Sequence, residues 1–311
     1  NFLWMMIAAG FESILADTGW WMAVISALTG AALVVYIYWT ARTHMGLTRA
    51  SAVVGASIVG TAAPFGVWAT SGLATMPFAL LVFAFFERTT LARDKWAGPL
   101  GALAGVLLMM IRTEGIAWVG VIAVLAVAAR VVDARKERGG GESLPLEAAR
   151  PVVIALAAVA VAFVVYTGWR YSHFGYWLPN TAHAKVGISA DRLLRGGKYL
   201  MLLWITCFTQ PFLLAGAVPV IRWRVGAGLA ISLMAVGFPA YAVVVGGDFM
   251  PMGRMVMPSI PFLGLLSAGL VGAIAERLGR GVPGRASMVS VALGVVLVAA
   301  GLFPSFDVHP V

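Results

Sequence analysis

The chain has 311 residues, 61% of them hydrophobic and 11% charged, with a net charge of +9. Soluble domains carry about 25% charged residues, so this composition excludes a soluble globular enzyme and a disordered chain and predicts a polytopic, all-α membrane protein. In a soluble chain the basic excess would suggest nucleic acid; here it fits Lys and Arg collected in cytoplasmic loops, with no nucleic-acid partner.

Residues 2–11 are mostly apolar and Glu12 ends the run. A crossing needs about 20 apolar residues, so a short interfacial or re-entrant helix is expected there. The first span is predicted over 19–40, with Trp20 and Trp21 as interfacial anchors. A loop with Arg42, His44 and Arg49 follows. From Ala50 to Phe86 there is no charge, which suits two short spans turning at Pro64, Gly66 and Gly72. Glu87–Lys95 reads as a loop. Short spans at 96–111 and 116–129 flank the turn Arg112-Thr113-Glu114-Gly115.

The stretch 130–150 reads as a flexible solvated loop and 151–168 as a span. Residues 169–198 read as a polar loop too long for a mere connector, which marks it as a functional candidate. Trp169, Tyr171, Tyr176 and Trp177 crowd its start, as interfacial anchors or, less simply, a sugar-stacking surface. Spans at 199–221, 225–245, 255–275 and 286–303 bring the count to ten. The single cysteine, Cys207, falls in an apolar run, so no disulfide framework is expected. The opening at Asn1 and the close at Val311 read as the ends of a fragment.

The nine residues Gly246-Gly247-Asp248-Phe249-Met250-Pro251-Met252-Gly253-Arg254 join two of these spans. Asp248 and Arg254 are the only charges between Arg224 and Glu276. An ionisable pair at a membrane edge points to a functional site; the plain alternative is an ion pair closing a hairpin. Fifteen of the 22 Lys and Arg residues fall in one set of loops, which the positive-inside rule makes cytoplasmic. The other set, Arg112, Arg170, Lys185, Arg192, Arg195, Lys198 and Arg254, then faces outward with Glu114 and Asp248. Arg192, Arg195 and Lys198 recur at every third residue, so a helix there would carry one cationic stripe. Such a stripe suits an anionic ligand or, equally, lipid headgroups.

Several segments resemble one family. Asn1-Phe2-Leu3-Trp4 is similar to the end of a Glu-Gly-Tyr-Thr-Asn-Phe-Leu-Trp segment in certain membrane glycosyltransferases. Trp169-Arg170, Phe174-Gly175, Leu178-Pro179-Asn180-Thr181 and Ala184-Lys185 resemble their Leu-Pro-Asn-Thr…Ala-Lys loop. Gly246-Gly247-Asp248-Phe249-Met250, with Arg254, Pro258 and Pro261, resembles their Gly-Gly-Asp-Phe-Met hairpin, and Arg112-Thr113-Glu114-Gly115 their Arg-Pro-Glu-Gly turn. These are C-type glycosyltransferases, most like the mycobacterial terminal β-(1→2)-arabinofuranosyltransferases. Ala74 departs from the pattern, since relatives often carry Glu there.

The resemblance implies a C-type fold and a polyprenyl-phosphate sugar donor. It also implies an outward-facing site at the bacterial cytoplasmic membrane and a cell-envelope glycan acceptor. It implies an acidic motif, with the catalytic base, upstream of Asn1, so the chain alone is expected to be inactive. A soluble outer domain can follow Val311.

Transfer from such a donor needs a base for the acceptor hydroxyl and cations for the departing phosphate. Arg254, Lys185, Arg112 and Arg170 are the candidates for the phosphate, since a guanidinium grips phosphate oxygens bidentately. Asp248, Asn180 and His183 are candidates for sugar or acceptor hydroxyls, with Asp248 a lesser candidate for the base. Glu114 is expected to be the structural partner of Arg112. Some lipid-donor transferases use a divalent metal, but the sequence displays no ligand set for one, and no motif for another cofactor. The alternative class is a transporter or lipid flippase for an anionic or lipid-linked substrate, which Pro211, Pro219 and Pro239 would suit as helix breaks.

Overall fold

The computed structural model describes residues 2–137, 146–176, 189–206, 214–250, 252–279 and 284–302. Among them every regular element is helical. In chain order these are α1 (Phe2–Ser13), α2 (Thr18–Thr43), α3 (Arg49–Gly60), α4 (Ala63–Thr70), α5 (Thr75–Phe86), α6 (Ala97–Ile111), α7 (Gly115–Glu137) and α8 (Leu146–Phe174). Then come α9 (Ala190–Thr206), α10 (Ala217–Trp223), α11 (Val225–Val244), α12 (Ile260–Gly279) and α13 (Arg285–Leu302). A π-helical turn, Glu87–Leu91, follows α5, and 3₁₀ turns occupy Leu214–Gly216 and Arg254–Ser259.

Five helical runs among the described residues are long and apolar enough to cross a membrane: α2, α7, α8, α11 and the run Arg254–Gly279. The pair α3 and α4 qualifies jointly but is bent by 65°. The protein is an α-helical membrane protein, with five or, counting the bent pair, six such candidate spans among the described residues. The ten runs read from hydropathy include helices too short for that test, such as α6 and α13.

Several boundaries differ from the sequence reading, each for a physical reason. The uncharged stretch 50–86 breaks twice, at 61–62 and 71–74, and Pro64 sits in the first turn of α4, where its missing N–H costs nothing. Residues 87–91 are a buried π turn rather than a loop: Glu87 is fully buried and paired with Arg88, Oε1 to Nη2 at 2.7 Å. The solvated loop at 130–150 shrinks because α7 runs to Glu137 and α8 starts at Leu146. The long loop at 169–198 is helical at both ends, through Phe174 and from Ala190, and the described residues of 199–221 fall in α9, the 3₁₀ turn Leu214–Gly216 and α10.

The chain forms two compact units, one of residues 1–18 and 81–190 and the other of residues 19–80 and 191–311, so the boundaries fall at the starts of α2 and α9 and within α5. In the first, α6 packs on α8 through Gly98 and Gly105. A Cβ would stand 3.0 Å from Ile154 at the first and 2.8 Å from Val159 at the second. Without a hydrophobic force between helices in lipid, such small residues let backbones close to contact distance. Arg130, 2% exposed on α7, donates to the carbonyls of Thr89 and Ala92, the latter at 2.6 Å. These are carbonyls that the short π turn leaves without a helical partner.

In the second unit α12 lies at the centre, and 83% of the most apolar stretch of Arg254–Gly279 is buried. A helix apolar on every side can be covered on every side. Helix α3 runs antiparallel to α12, with Val59, Gly55 and Ser51 facing Gly264, Ala268 and Gly272 in turn. Helix α13 runs parallel to α3: the Ser51 and Ser290 hydroxyls share a hydrogen bond at 3.2 Å, and Gly294 lies under Val54. At the α3–α12 crossing, a Cβ on Gly55 would stand 2.4 Å from the Gly264 carbonyl oxygen. Gly55→Ala is expected to cost about 1–3 kcal/mol, because backbone must move. Gly66→Ala on α4, with open space around it, is expected to be neutral or slightly stabilising. Thermal unfolding of the two variants in detergent checks this.

Candidate functional site: the Gly246–Arg254 hairpin

Helix α11 ends in a Schellman closure. Gly247 N–H donates to Ala242 O at 2.7 Å and Gly246 N–H to Val243 O at 3.1 Å. The two glycines take φ of +86° and +79°, a region a Cβ disfavours. The closure turns the chain so that the Asp248 side chain is almost wholly buried, 3% exposed. Its Oδ2 accepts the Arg254 Nε–H at 2.6 Å. Arg254 is 18% exposed. Its Nη1 reaches the Met250 sulfur at 3.1 Å, and its guanidinium lies 5.7 Å from the centre of the Phe249 ring. Its Nη2 makes no hydrogen bond among the described residues. Met252, at φ +59°, is held left-handed without being glycine, and its carbonyl accepts the Trp68 indole N–H at 2.7 Å. Strain of this kind persists where surrounding contacts over-determine it.

Helix α9 lies along the hairpin. Arg192, Gly196, Tyr199 and Leu203, spaced to share one helical face, meet Gly246, Val243, Gly247 and Gly253 in turn. A Cβ on Gly196 would sit 2.2 Å from Val243 O, and one on Gly247 would sit 2.9 Å from the Tyr199 Cβ. Residues 192–198 are helical, but the three cations do not form one exposed stripe: Arg192 packs at the hairpin, and Arg195 and Lys198 are exposed.

Among the described residues helix α9 is not one of the runs long and apolar enough to cross a membrane, and Tyr199 sits where it meets the hairpin. The Tyr199 phenol oxygen is buried and makes no hydrogen bond of normal geometry among the described residues. Burial first, then the Asp248 carboxylate, pushes this phenol up to about 12, with the Met255 backbone and Arg254 acting the other way. A phenol whose folded value exceeds its unfolded value near 10 contributes stability that is complete below pH 10. That contribution is lost as pH rises toward 12. Tyr199→Phe is expected to flatten this alkaline fall in stability. Asp248→Asn is expected to bring the phenol down, read from phenolate absorbance against the Tyr199→Phe background.

The remaining sequence candidates divide. Arg112 and Glu114 pair in the other unit, Nε to Oε1 at 2.8 Å, with side chains 15% and 16% exposed. Gly115 closes that turn so tightly that a Cβ would sit 2.0 Å from the Leu108 carbonyl oxygen. Arg170 is half-buried on α8 and makes no ion pair among the described residues. Near it Phe2 packs on Tyr166 and Trp169, with ring centroids at 5.2 and 5.3 Å, and the His173 Nδ1–H donates to Trp169 O, 3.0 Å away. Asn180, His183 and Lys185 lie outside the described residues, as do Trp177, Cys207 and Pro211. Among the described residues no three His, Cys, Asp or Glu side chains gather as a metal-binding group.

Sequence reasoning missed Tyr199, Gly196 and Trp68 as hairpin contacts. A signal existed for the first two: the 192/196/199/203 spacing runs across the boundary drawn at 198/199 between a polar loop and a span. Trp68 carried none. No protein-family profile, curated protein or solved structure matches the chain.

Proposed function

We propose that the chain belongs to a membrane glycosyltransferase of about ten spans and C-type fold, acting on a polyprenyl-phosphate sugar at the outer face of the bacterial cytoplasmic membrane. The observation that carries the reading is the Asp248–Arg254 pair. A nearly buried carboxylate fixes one edge of a guanidinium whose Nη2 has no protein hydrogen bond among the described residues. A cation held this way suits a phosphate that gains charge as it departs, because its orientation is set before the reaction begins. The resemblance of the Gly-Gly-Asp-Phe-Met segment supports the same chemistry.

In the reaction, the acceptor hydroxyl oxygen attacks the anomeric carbon and inverts it. The carbon–oxygen bond to the phosphate breaks, and its electron pair leaves with the polyprenyl phosphate. The hydroxyl proton passes to a carboxylate acting as the base. Arg254 holds the phosphate, and Asp248 keeps Arg254 in place and is available to sugar hydroxyls. The donor sugar is arabinofuranose or a similar sugar, and the acceptor is a cell-envelope glycan.

The 65° break between α3 and α4 favours a second reading, a transporter or flippase, since broken helices form substrate sites in transporters. Vesicles holding the complete gene product and a radiolabelled polyprenyl-phosphate sugar separate the two. Label covalently joined to the acceptor glycan supports the transferase; donor moved across the bilayer unchanged supports the transporter.

A further inference from the structure

In the second unit a trough of about 740 Å³ runs between the parallel helices α3 and α13, with Arg49 at one end and Thr61 at the other. Between those ends its walls are mainly aliphatic, Ser57 being the one polar side chain, with Val53, Val291 and Val295 each at least half exposed. The floor is the close contact of Gly294 with Val54. Small-molecule sites have volumes of about 300–1,000 Å³. From Arg49 to Thr61 the helix advances roughly 18 Å at 1.5 Å per residue, close to the roughly 15 Å of one leaflet of a 30 Å hydrocarbon core.

The charge lies at one end. Arg49 is exposed, lines the trough, and makes no ion pair or side-chain hydrogen bond among the described residues. Because α13 is parallel to α3, Arg285 at its start lies toward the same end. Helix α12 is antiparallel to α3 and begins beside the Gly246–Arg254 hairpin, so Arg49 and the hairpin lie at opposite ends of this unit. The trough is therefore not a continuation of the candidate site.

We propose that the trough binds an anionic glycerophospholipid of the bilayer, one acyl chain lying between α3 and α13 and the headgroup phosphate on Arg49. Its apolar walls match an acyl chain, its length matches one leaflet, and the cationic end matches an anionic headgroup. The inference does not depend on the glycosyltransferase reading.

The test reconstitutes the complete gene product in phosphatidylcholine vesicles and compares binding of spin-labelled phosphatidylglycerol with spin-labelled phosphatidylcholine. Wild type is expected to immobilise phosphatidylglycerol preferentially. Arg49→Gln, at an exposed position, is expected to lower that preference about tenfold, the scale of one charge-assisted contact. Val53→Trp, which fills the trough from an exposed wall, is expected to remove the immobilised component for both lipids. Equal affinities in wild type, or a preference unchanged in both variants, overturns the proposal. So does a trough emptied of phosphatidylglycerol only by added polyprenyl phosphate, or one closed by a second copy of the chain, read as a dimer that Val53→Trp dissociates.

Discussion

Arg254→Ala is expected to reduce sugar transfer by about 100- to 1,000-fold, the usual effect of deleting one preorganised group that stabilises developing charge. The variant also leaves the Asp248 carboxylate, 3% exposed, without its partner, which costs about 3–5 kcal/mol for a buried ion. Lost activity alone could therefore reflect lost structure. The double variant Arg254→Ala/Asp248→Ala separates these effects. It removes both charges and is expected to recover most of the stability while transfer stays low. Arg254→Lys is expected to keep an intermediate activity, since an ammonium supplies charge but not the planar fork. If Arg254 binds the phosphate chiefly as it departs, kcat falls more than KM rises. A double variant that regains both stability and transfer would reduce the pair to a structural clasp.

The second large effect is on stability. Arg130→Ala is expected to destabilise the first unit by about 3–5 kcal/mol, through orphaned buried carbonyls at roughly 1–3 kcal/mol each. Arg130 donates to Thr89 O and Ala92 O and lies 3.4 Å from Ala148 O on α8, so it ties the π turn, α7 and α8 together. Arg130→Lys is expected to recover only part of this, because one ammonium cannot reproduce the fork's spread of donors. Thermal unfolding in detergent, with α8 accessibility to protease as a second readout, checks both variants. A loss below about 1 kcal/mol, the scale of an ordinary surface substitution, would show that water replaces the guanidinium there.

Arg130 also shows why parts of the fold escaped the sequence. A hydropathy reading treats an arginine after an apolar run as the start of a loop. This one is buried because unpaired carbonyls of a distant turn need donors, which is a tertiary demand. Glu87 misled in the same way: its charge suggested solvent, and Arg88 satisfies it inside the protein. The long apolar runs were legible, since α2, α11 and Arg254–Gly279 follow them closely. The breaks at 61–62 and 71–74 were legible only as turn-formers, and Pro64 proved to start a helix rather than to end one.

At the candidate site the pairing of Asp248 with Arg254 could be anticipated, because two isolated opposite charges flank a glycine-rich turn. The part played by α9 was hidden. Its 17 residues are amphipathic, and its cationic side led the first half, to Lys198, to be read as polar loop and the rest as the start of a span. Its other face, through Gly196 and Tyr199, is shaped to the distant backbone at Val243 and Gly247, which periodicity alone cannot reveal.

The most direct measurement is transfer of radiolabel from a polyprenyl-phosphate sugar to a cell-envelope glycan by the complete gene product in detergent. It is run for wild type and for Arg254→Ala/Asp248→Ala, with folding confirmed for both. Labelled glycan from wild type, and a loss of about 100-fold or more in the variant, is the predicted result. No labelled glycan from folded wild type with any polyprenyl-phosphate donor, or equal labelling by both proteins, would contradict a transferase site built on this hairpin.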